Sequence, residues 1–342
     1  MTPPKPARHT RDDNLHIRPL LAADLDSVVH IDAALNGRRR VAYFERRLAA
    51  AGRAPAAHAQ FAVEDGGVLS GYVLAKVLEG EFGRASPAMR LEVIGVLPGA
   101  QGRGLGAALG AALEDEVRAR GLRELRTGAS WRDHALLRWL DAGGWQLGGN
   151  HVIECRLSEA PLGASNEAPV LRDLPERPAD ANDYGGAAPN DFEALARDLA
   201  DVRTMSAADT AAVARIDRRL TGRDRSAYIQ HRMDEALADS GVRVSLIARV
   251  EDSVAGYLMA SADYGDFGRA QPSAVIDTIG VDPGFSGRGL GRAMLSQLFV
   301  NLGALGIERV ETVVTKDNYD LLGFFYRNGF GPGERLAFVK QL

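Results

Sequence analysis

The 342-residue sequence holds a single cysteine, Cys155, so it can form no internal disulfide and has no CxxC pair for zinc. Its seven histidines show no HExxH spacing, which leaves a metal site without support. No run approaches the roughly 18 uninterrupted apolar residues of a membrane span. The N-terminal MTPPKPARHTRDDN lacks the apolar core of a secretory signal. Charge of one sign is not in excess either. With 41 Lys+Arg against 45 Asp+Glu the net charge is -4, which offers no basic footprint for nucleic acid and no polybasic signature for a membrane surface. The expectation is a cytoplasmic globular protein with no nucleic-acid or membrane partner. Its length implies two domains at about 100–200 residues each.

What the sequence does contain is a copy of itself. At a shift of 185 residues, Ile31-Asp32 falls on Ile216-Asp217, Tyr43 on Tyr228, Gly71-Tyr72 on Gly256-Tyr257, and Leu157 on Leu342. Ten of the thirteen positions from Ile94 to Gly106 are identical to those from Ile279 to Gly291. A period this long marks a duplicated domain rather than a solenoid, whose repeats run about 20–50 residues. The expected division is a disordered tail over 1–14, a module over 15–157, a linker over 158–200 and a second module over 201–342. The linker is rich in Pro, Ala, Gly and acidic residues, with a short helix after Asn190 carrying Phe192, Leu195 and Leu199.

Within each module, LHIRPL or DVRTM reads as an opening strand, and two helices follow it. The first of these starts at a capping box, Ser206 with Asp209, in the second copy. AQFAVEDGGVLSGYVLAKV and VSLIARVEDSVAGYLMASA read as hairpins. A further strand runs into a glycine-rich turn, then a helix with Met294, Leu295, Leu298, Phe299 and Leu302 as its apolar stripe, a strand and a short closing helix. Strands mixed with crossover helices make each module α/β or α+β.

The chemistry is carried by VIGVLPGAQGRGLGAAL and TIGVDPGFSGRGLGRAM. Alternating glycines where a strand turns into a helix expose N–H groups at a helix N-terminus, which suits a pyrophosphate. A dinucleotide GxGxxG fingerprint fails because Leu109 or Arg292 stands where the third glycine is needed, and no Gly-Lys-Ser/Thr follows for a Walker A loop. The turn instead resembles motif A of the Gcn5-related N-acetyltransferases (GNAT), Q/R-x-x-G-x-G/A. Gln101-Gly102-Arg103-Gly104-Leu105-Gly106 matches throughout, and Ser286-Gly287-Arg288-Gly289-Leu290-Gly291 departs only at Ser286. Asn318…Phe325…Gly329-Phe330 resembles the closing element of that family, and Asp133…Leu140…Gly144-Trp145 is its first-module counterpart.

The resemblance implies two tandem GNAT-like modules, each a mixed sheet splayed after its fourth strand, flanked by helices, with acetyl-CoA in the cleft as acyl donor. By carry-over, the backbone of Ile279, Gly280 and Val281, or of Ile94, Gly95 and Val96, holds the pantetheine arm. Ser286 to Gly291, or Gln101 to Gly106, holds the pyrophosphate, and Asn318 belongs to the same set. The implied reaction is acyl transfer to a primary amine of a small molecule or a protein, with no metal. A degenerate CoA-binding regulatory or scaffold protein is the alternative, and homo-oligomerisation stays open.

Asp277, matched by Glu92, is the candidate base, and strict period-2 alternation places it on the face of Ile279 and Val281. An ion pair with an arginine is its structural alternative. The family's proton-donating tyrosine would stand where Phe325 and Leu140 are. Tyr326 lies one residue on, about 100° round a helix, with Tyr257, Tyr264 or water as other donors. Asp133, Leu140 and Asp141 would put negative charge near the departing thiolate of the first module, so catalysis is expected in the C-terminal one. Arg38–Arg40 and Arg223–Arg225 read as solvated charges, Asp32 and Asp217 as salt-bridging residues or acceptor ligands, and the FGR element (82–84 and 267–269) as a turn or substrate-side loop.

Overall fold

A computed structural model describes residues 15–78, 87–160, 201–238, 244–251, 253–263 and 273–342. The expected tail, most of the expected linker with its short helix, Tyr264 and both FGR elements lie outside the described residues.

The first half runs β1 (Leu15–Pro19), α1 (Leu25–Asn36), α2 (Val41–Arg53), β2 (His58–Asp65), β3 (Val68–Leu78), β4 (Ala88–Val96), α3 (Leu105–Ala119), β5 (Glu124–Ser130), α4 (His134–Ala142), β6 (Gln146–Leu147) and β7 (Asn150–Arg156). The second half repeats it: β8 (Asp201–Thr204), α5 (Thr210–Thr221), α6 (Ser226–Ala238), β9 (Leu246–Val250), β10 (Ser253–Asp263), β11 (Ser273–Val281), α7 (Leu290–Ala304), β12 (Arg309–Thr315), α8 (Tyr319–Arg327), β13 (Gly331–Pro332) and β14 (Arg335–Gln341). The helices follow from their stripes and caps. Leu105, Leu109, Leu113 and Val117 put one buried row on α3. The expected capping box before α5 is present, with Asp209 Oδ2 accepting from the Ser206 amide at 2.9 Å. Asp133 and Asn318 cap α4 and α8 by accepting from Leu136 and Leu321 amides.

Each sheet is mixed and seven-stranded, with orders β1-β2-β3-β4-β5-β14-β6 and β13-β7-β12-β11-β10-β9-β8. Each carries apolar packing on both faces. In the first sheet α3 covers Val73, Leu91 and Leu125, while α1 and α2 cover Ala62, Tyr72 and Val93.

The sheets do not follow the expected boundary at 157. Strand β7 leaves the first half and pairs with β12 of the second, from Arg309↔Arg156 to Thr315↔Asn150. The C-terminal β14 does the reverse and lies between β5 and β6, pairing from Arg335↔Ser130 to Gln341↔Glu124. Phe338 and Leu342 join the first half's core, and Lys340 is ion-paired with Glu114 of α3. In return Arg309 Nη1 donates to Glu154 Oε1 at 3.2 Å. Two copies of one sequence thus complete each other's sheets by exchanging their last strand, the intramolecular form of a domain swap.

Candidate functional site

The site begins where two parallel strands part. Strand β4 pairs with β5 only at Met89↔Leu125 and Arg90↔Arg126, and β11 with β12 only from Ala274↔Val310 to Ile276↔Thr312. At the point of divergence a threonine side chain replaces the ladder. Thr127 Oγ1 donates to Leu91 O and Thr312 Oγ1 to Ile276 O, both at 2.9 Å. Beyond it, Ile94–Val96 and Ile279–Val281 pair with β3 or β10 on one side only. Every second amide and carbonyl there points into the splay, where an extended amide-bearing ligand can take the place of a strand. A cavity of about 160 Å³ adjoins the first splay, lined by Leu91, Ile94, Gly110 and Trp139 among others.

Both splayed strands carry a β-bulge at the same place. Leu74 opposes Val93 and Ala75 opposes Leu91, leaving Glu92 as the extra residue; Met259 opposes Thr278 and Ala260 opposes Ile276, leaving Asp277. This corrects the alternation argument. The extra residue shifts the phase of the strand, so Ala274 and Ile276 share a core with Ile279 and Val281. Asp277 faces the other side, toward α5 and α6, where Arg232 is its ion-pair partner and Ser261 Oγ stands 3.4 Å from Oδ2. Glu92 pairs in the same way with Arg47 and, at 3.1 Å, with Arg90. Arg47 and Arg232 are themselves 185 residues apart. The duplicated arginine on the second helix was the sequence signal for this pairing.

The glycine turns lead from the splay into α3 and α7. Gly104 and Gly289 are the helix N-caps, with φ of +90° and +76°, which L side chains seldom adopt. A Cβ at Gly102, Gly104 or Gly287 would meet no atom within 4 Å, so nothing crowds the face on which the N-terminal amides emerge. These turns therefore fit an anionic diphosphate. The third glycine serves a different purpose. A Cβ at Gly106 would lie 3.0 Å from the Trp139 ring and one at Gly291 3.1 Å from Phe324, so these glycines let the closing helix approach. Gln101 Nε2 donates to Val96 O at 3.1 Å and ties turn to strand in the first copy. Arg103 is ion-paired with Asp65, and Arg288 lies 5.2 Å from the Phe285 ring.

The closing helix differs from what catalysis by a phenol needs. Phe325 is fully buried against Phe330 and Phe324, and Leu140 is fully buried in the first copy. Tyr326 is 45% exposed, on the outer side of α8 and away from the core that Leu321, Leu322 and Phe325 face. One residue of helix rotation separates it from the family position.

Tyr257, another expected donor, is buried and donates to Asp217 Oδ1 at 2.8 Å; Tyr72 does the same to Asp32 at 3.3 Å. Asp32 and Asp217 are in turn held by Arg40 and Arg225, each through Nε at 2.8 Å. Arg40 is therefore not a solvated charge: only 8% of it is exposed. Burial, followed by the adjacent aspartate charge, pushes both phenols above the ordinary tyrosine value of 10.0. Such phenols give up protons reluctantly, and these two latch the first helix to the third strand.

The phenol shifts set a pH dependence. Because the folded-state pKa is raised, the stabilisation from each tyrosine is fully present below pH 10.0 and is lost as pH rises beyond it. In a spectrophotometric alkaline titration Tyr72 and Tyr257 should ionise only with unfolding, and Tyr72→Phe with Tyr257→Phe should remove that late fraction. Ionisation of all eight tyrosines in one step near the ordinary value would contradict this.

Comparison with known proteins agrees with the geometry. The family model described as "Acetyltransferase (GNAT) family" matches residues 26–137 and 212–330, more than half of the chain. A glucosamine N-acetyltransferase region of a fungal multidomain GH3 β-N-acetylglucosaminidase superposes with a TM-score of 0.60 at 16% identity, covering 95% of this chain and 38% of that one. A tandem GNAT protein of the clavulanic acid biosynthesis pathway gives 0.59 at 19% identity, covering 96% and 98%. A GCN5-related N-acetyltransferase of Sphaerobacter thermophilus gives 0.56 at 17%, covering 96% of both chains. Among the described residues no cluster of three or more His, Cys, Asp or Glu could hold a metal ion, and no helix is long and apolar enough to cross a membrane.

Proposed function

From the premise that the chain belongs to the GNAT acetyltransferase family, we propose that it transfers an acyl group from acetyl-CoA to a primary amine. The observation that carries this reading is the duplicated junction of splayed strand, bulge carboxylate and glycine-capped helix. The splay edge of Ile279–Val281 would pair with pantetheine. Amides from Gly287 to Gly291 would hold the pyrophosphate, with Ser286, Arg288, Leu290 and Asn318 around it. The equivalent set in the first half is Ile94–Val96 and Gln101–Gly106.

In this reading the amine nitrogen attacks the thioester carbonyl, the C–S bond breaks and an amide forms. Asp277, or a water on it, takes the proton of the incoming ammonium. Arg232 is already the ion-pair partner of that carboxylate, so the ammonium must compete with the guanidinium for it. With a buried ring at 325 and Tyr326 facing outward, the thiolate takes its proton from water. The C-terminal half is the proposed catalytic one, because it keeps Asn318 and the aromatic residues Phe325 and Tyr326 where the first half has Asp133, Leu140 and Asp141.

Purified protein, acetyl-CoA and a panel of primary amines, followed by free-thiol release, test the proposal. Asp277→Asn should lower kcat/KM by about 10²-fold or more, and kcat/KM should rise with pH through the amine's own ionisation. An unchanged rate removes Asp277 from the reaction. The arginine-paired carboxylates and the two buried apolar residues at the tyrosine position favour a second reading, a CoA-binding regulatory protein. Tight acetyl-CoA binding without thiol release across the panel would select it.

A further inference from the structure

Between the two sheets, away from the glycine turns, lies a cavity of about 80 Å³ that strand exchange creates. Its walls come from β4 and β5 of the first half, the exchanged strands β7 and β14, and β11 and β12 of the second. The volume is several times the roughly 10–15 Å³ that one water needs. Three guanidinium groups line it: Arg90, Arg126 and Arg335, with Glu311 as the carboxylate among the lining residues. Arg335 is 8% exposed and Arg126 9%. Arg335 Nη1 donates to Glu311 Oε1 at 3.4 Å, Arg90 Nη2 to Glu92 Oε1 at 3.1 Å, and Arg126 Nε to Glu124. Glu92 is shared with Arg47. Arg126 Nη1 is buried without a hydrogen-bond partner. Buried native donors are nearly always satisfied, by protein, by water or by a bound group.

The duplication shows that this cluster is not a repeat feature. At the 185-residue shift Arg90 corresponds to Val275, Arg126 to Glu311 and Arg335 to Asn150. All six line the same cavity. The cationic trio therefore occurs once per chain, at a position unrelated to the paired cofactor turns.

We infer that this cavity is a binding site for a small oxyanion, a phosphate or carboxylate group, held by Arg126 together with Arg90 and Arg335. Planar forks of N–H donors match the oxygens of such groups, which is the recognition at which arginine excels. Because two of its three cations come from the first half and the third from the exchanged strand of the second, the anion would also fasten the exchange.

Thermal unfolding of the full chain in inorganic phosphate, against sodium chloride of equal ionic strength, tests the site. Tm should rise with phosphate concentration in the parent protein, as ligand linkage requires, and the phosphate-specific rise should be lost in Arg126→Met. Scoring the difference between parent and variant removes any phosphate held at the glycine turns, so failure here is separable from failure of the proposed acyltransferase. Val275→Glu supplies a carboxylate from the opposite wall. It should match or exceed the parent Tm in chloride and show no phosphate response, and it decides the matter if Arg126→Met does not fold. Phosphoethanolamine distinguishes the sources. A larger shift than phosphate plus ethanolamine identifies the anion as the acid group of an amine, and an equal shift identifies a free ion. A parent Tm that responds equally to phosphate and chloride, or a full phosphate response retained in Arg126→Met or Val275→Glu, overturns the inference.

Discussion

Removing Arg335–Leu342 should unfold the N-terminal half, although the deletion lies at the far end of the chain. Strand β14 is an interior strand of the first sheet. Its loss opens a gap between β5 and β6 and strips Phe338 and Leu342 from the first core. It also breaks the Lys340–Glu114 pair and the bond from the Leu342 amide to Arg123 O at 3.0 Å. Seven registered residue pairs with β5 go with it. At about 1 kcal/mol net for each backbone hydrogen bond, together with the lost apolar burial, the sum rivals a domain's whole stability of about 5–15 kcal/mol.

The same reciprocity makes the two halves one cooperative unit. Leu109→Ala in the first core and Leu298→Ala in the second, both fully buried, should each cost about 2–5 kcal/mol. Both should lower the same calorimetric transition. Two endotherms that respond separately, or a truncated chain that keeps the first half's transition, would show that the exchanged strands do not couple the halves.

The second large effect is expected at the helix N-caps. In Gly289→Glu and Gly104→Glu a non-glycine residue is forced to φ of +76° or +90°, at about 1–2 kcal/mol of strain. Its carboxylate then sits where a diphosphate would bind. Titration calorimetry of the parent with CoA should show up to two sites of unequal affinity. Each variant should lose one of them, with affinity there falling by about 100-fold or more, since like charges across a binding site cost several kcal/mol. If either variant alone abolishes all binding, the two-site assignment fails. In the thiol-release assay Gly289→Glu should be the inactive variant. Loss of turnover in Gly104→Glu with retention in Gly289→Glu would reverse the assignment of the catalytic half.

The sequence by itself determined the duplication, the mixed α/β character of each half, the family and the glycine turns. Each of these rests on local pattern. Identity at a fixed shift, period-3.6 and period-2 burial, and glycines where a strand enters a helix need no knowledge of distant contacts. The Arg47–Glu92 and Arg232–Asp277 pairs were half legible, since both partners recur at the shift, but nothing in the spacing says that they meet. Two things were decided only by the tertiary structure. One is the face on which Asp277 lies: a single bulged residue reverses the phase of a strand, and a bulge is set by pairing with β10 rather than by the strand's own composition. The other is the ownership of the last strand. Residues 150–156 and 335–341 fall on each other at the 185-residue shift, so by order along the chain either could complete either sheet. Contacts that the other copy lacks accompany the exchange, such as Lys340 with Glu114 and Arg309 with Glu154. A duplicated sequence offers two nearly degenerate pairings, and only long-range packing separates them.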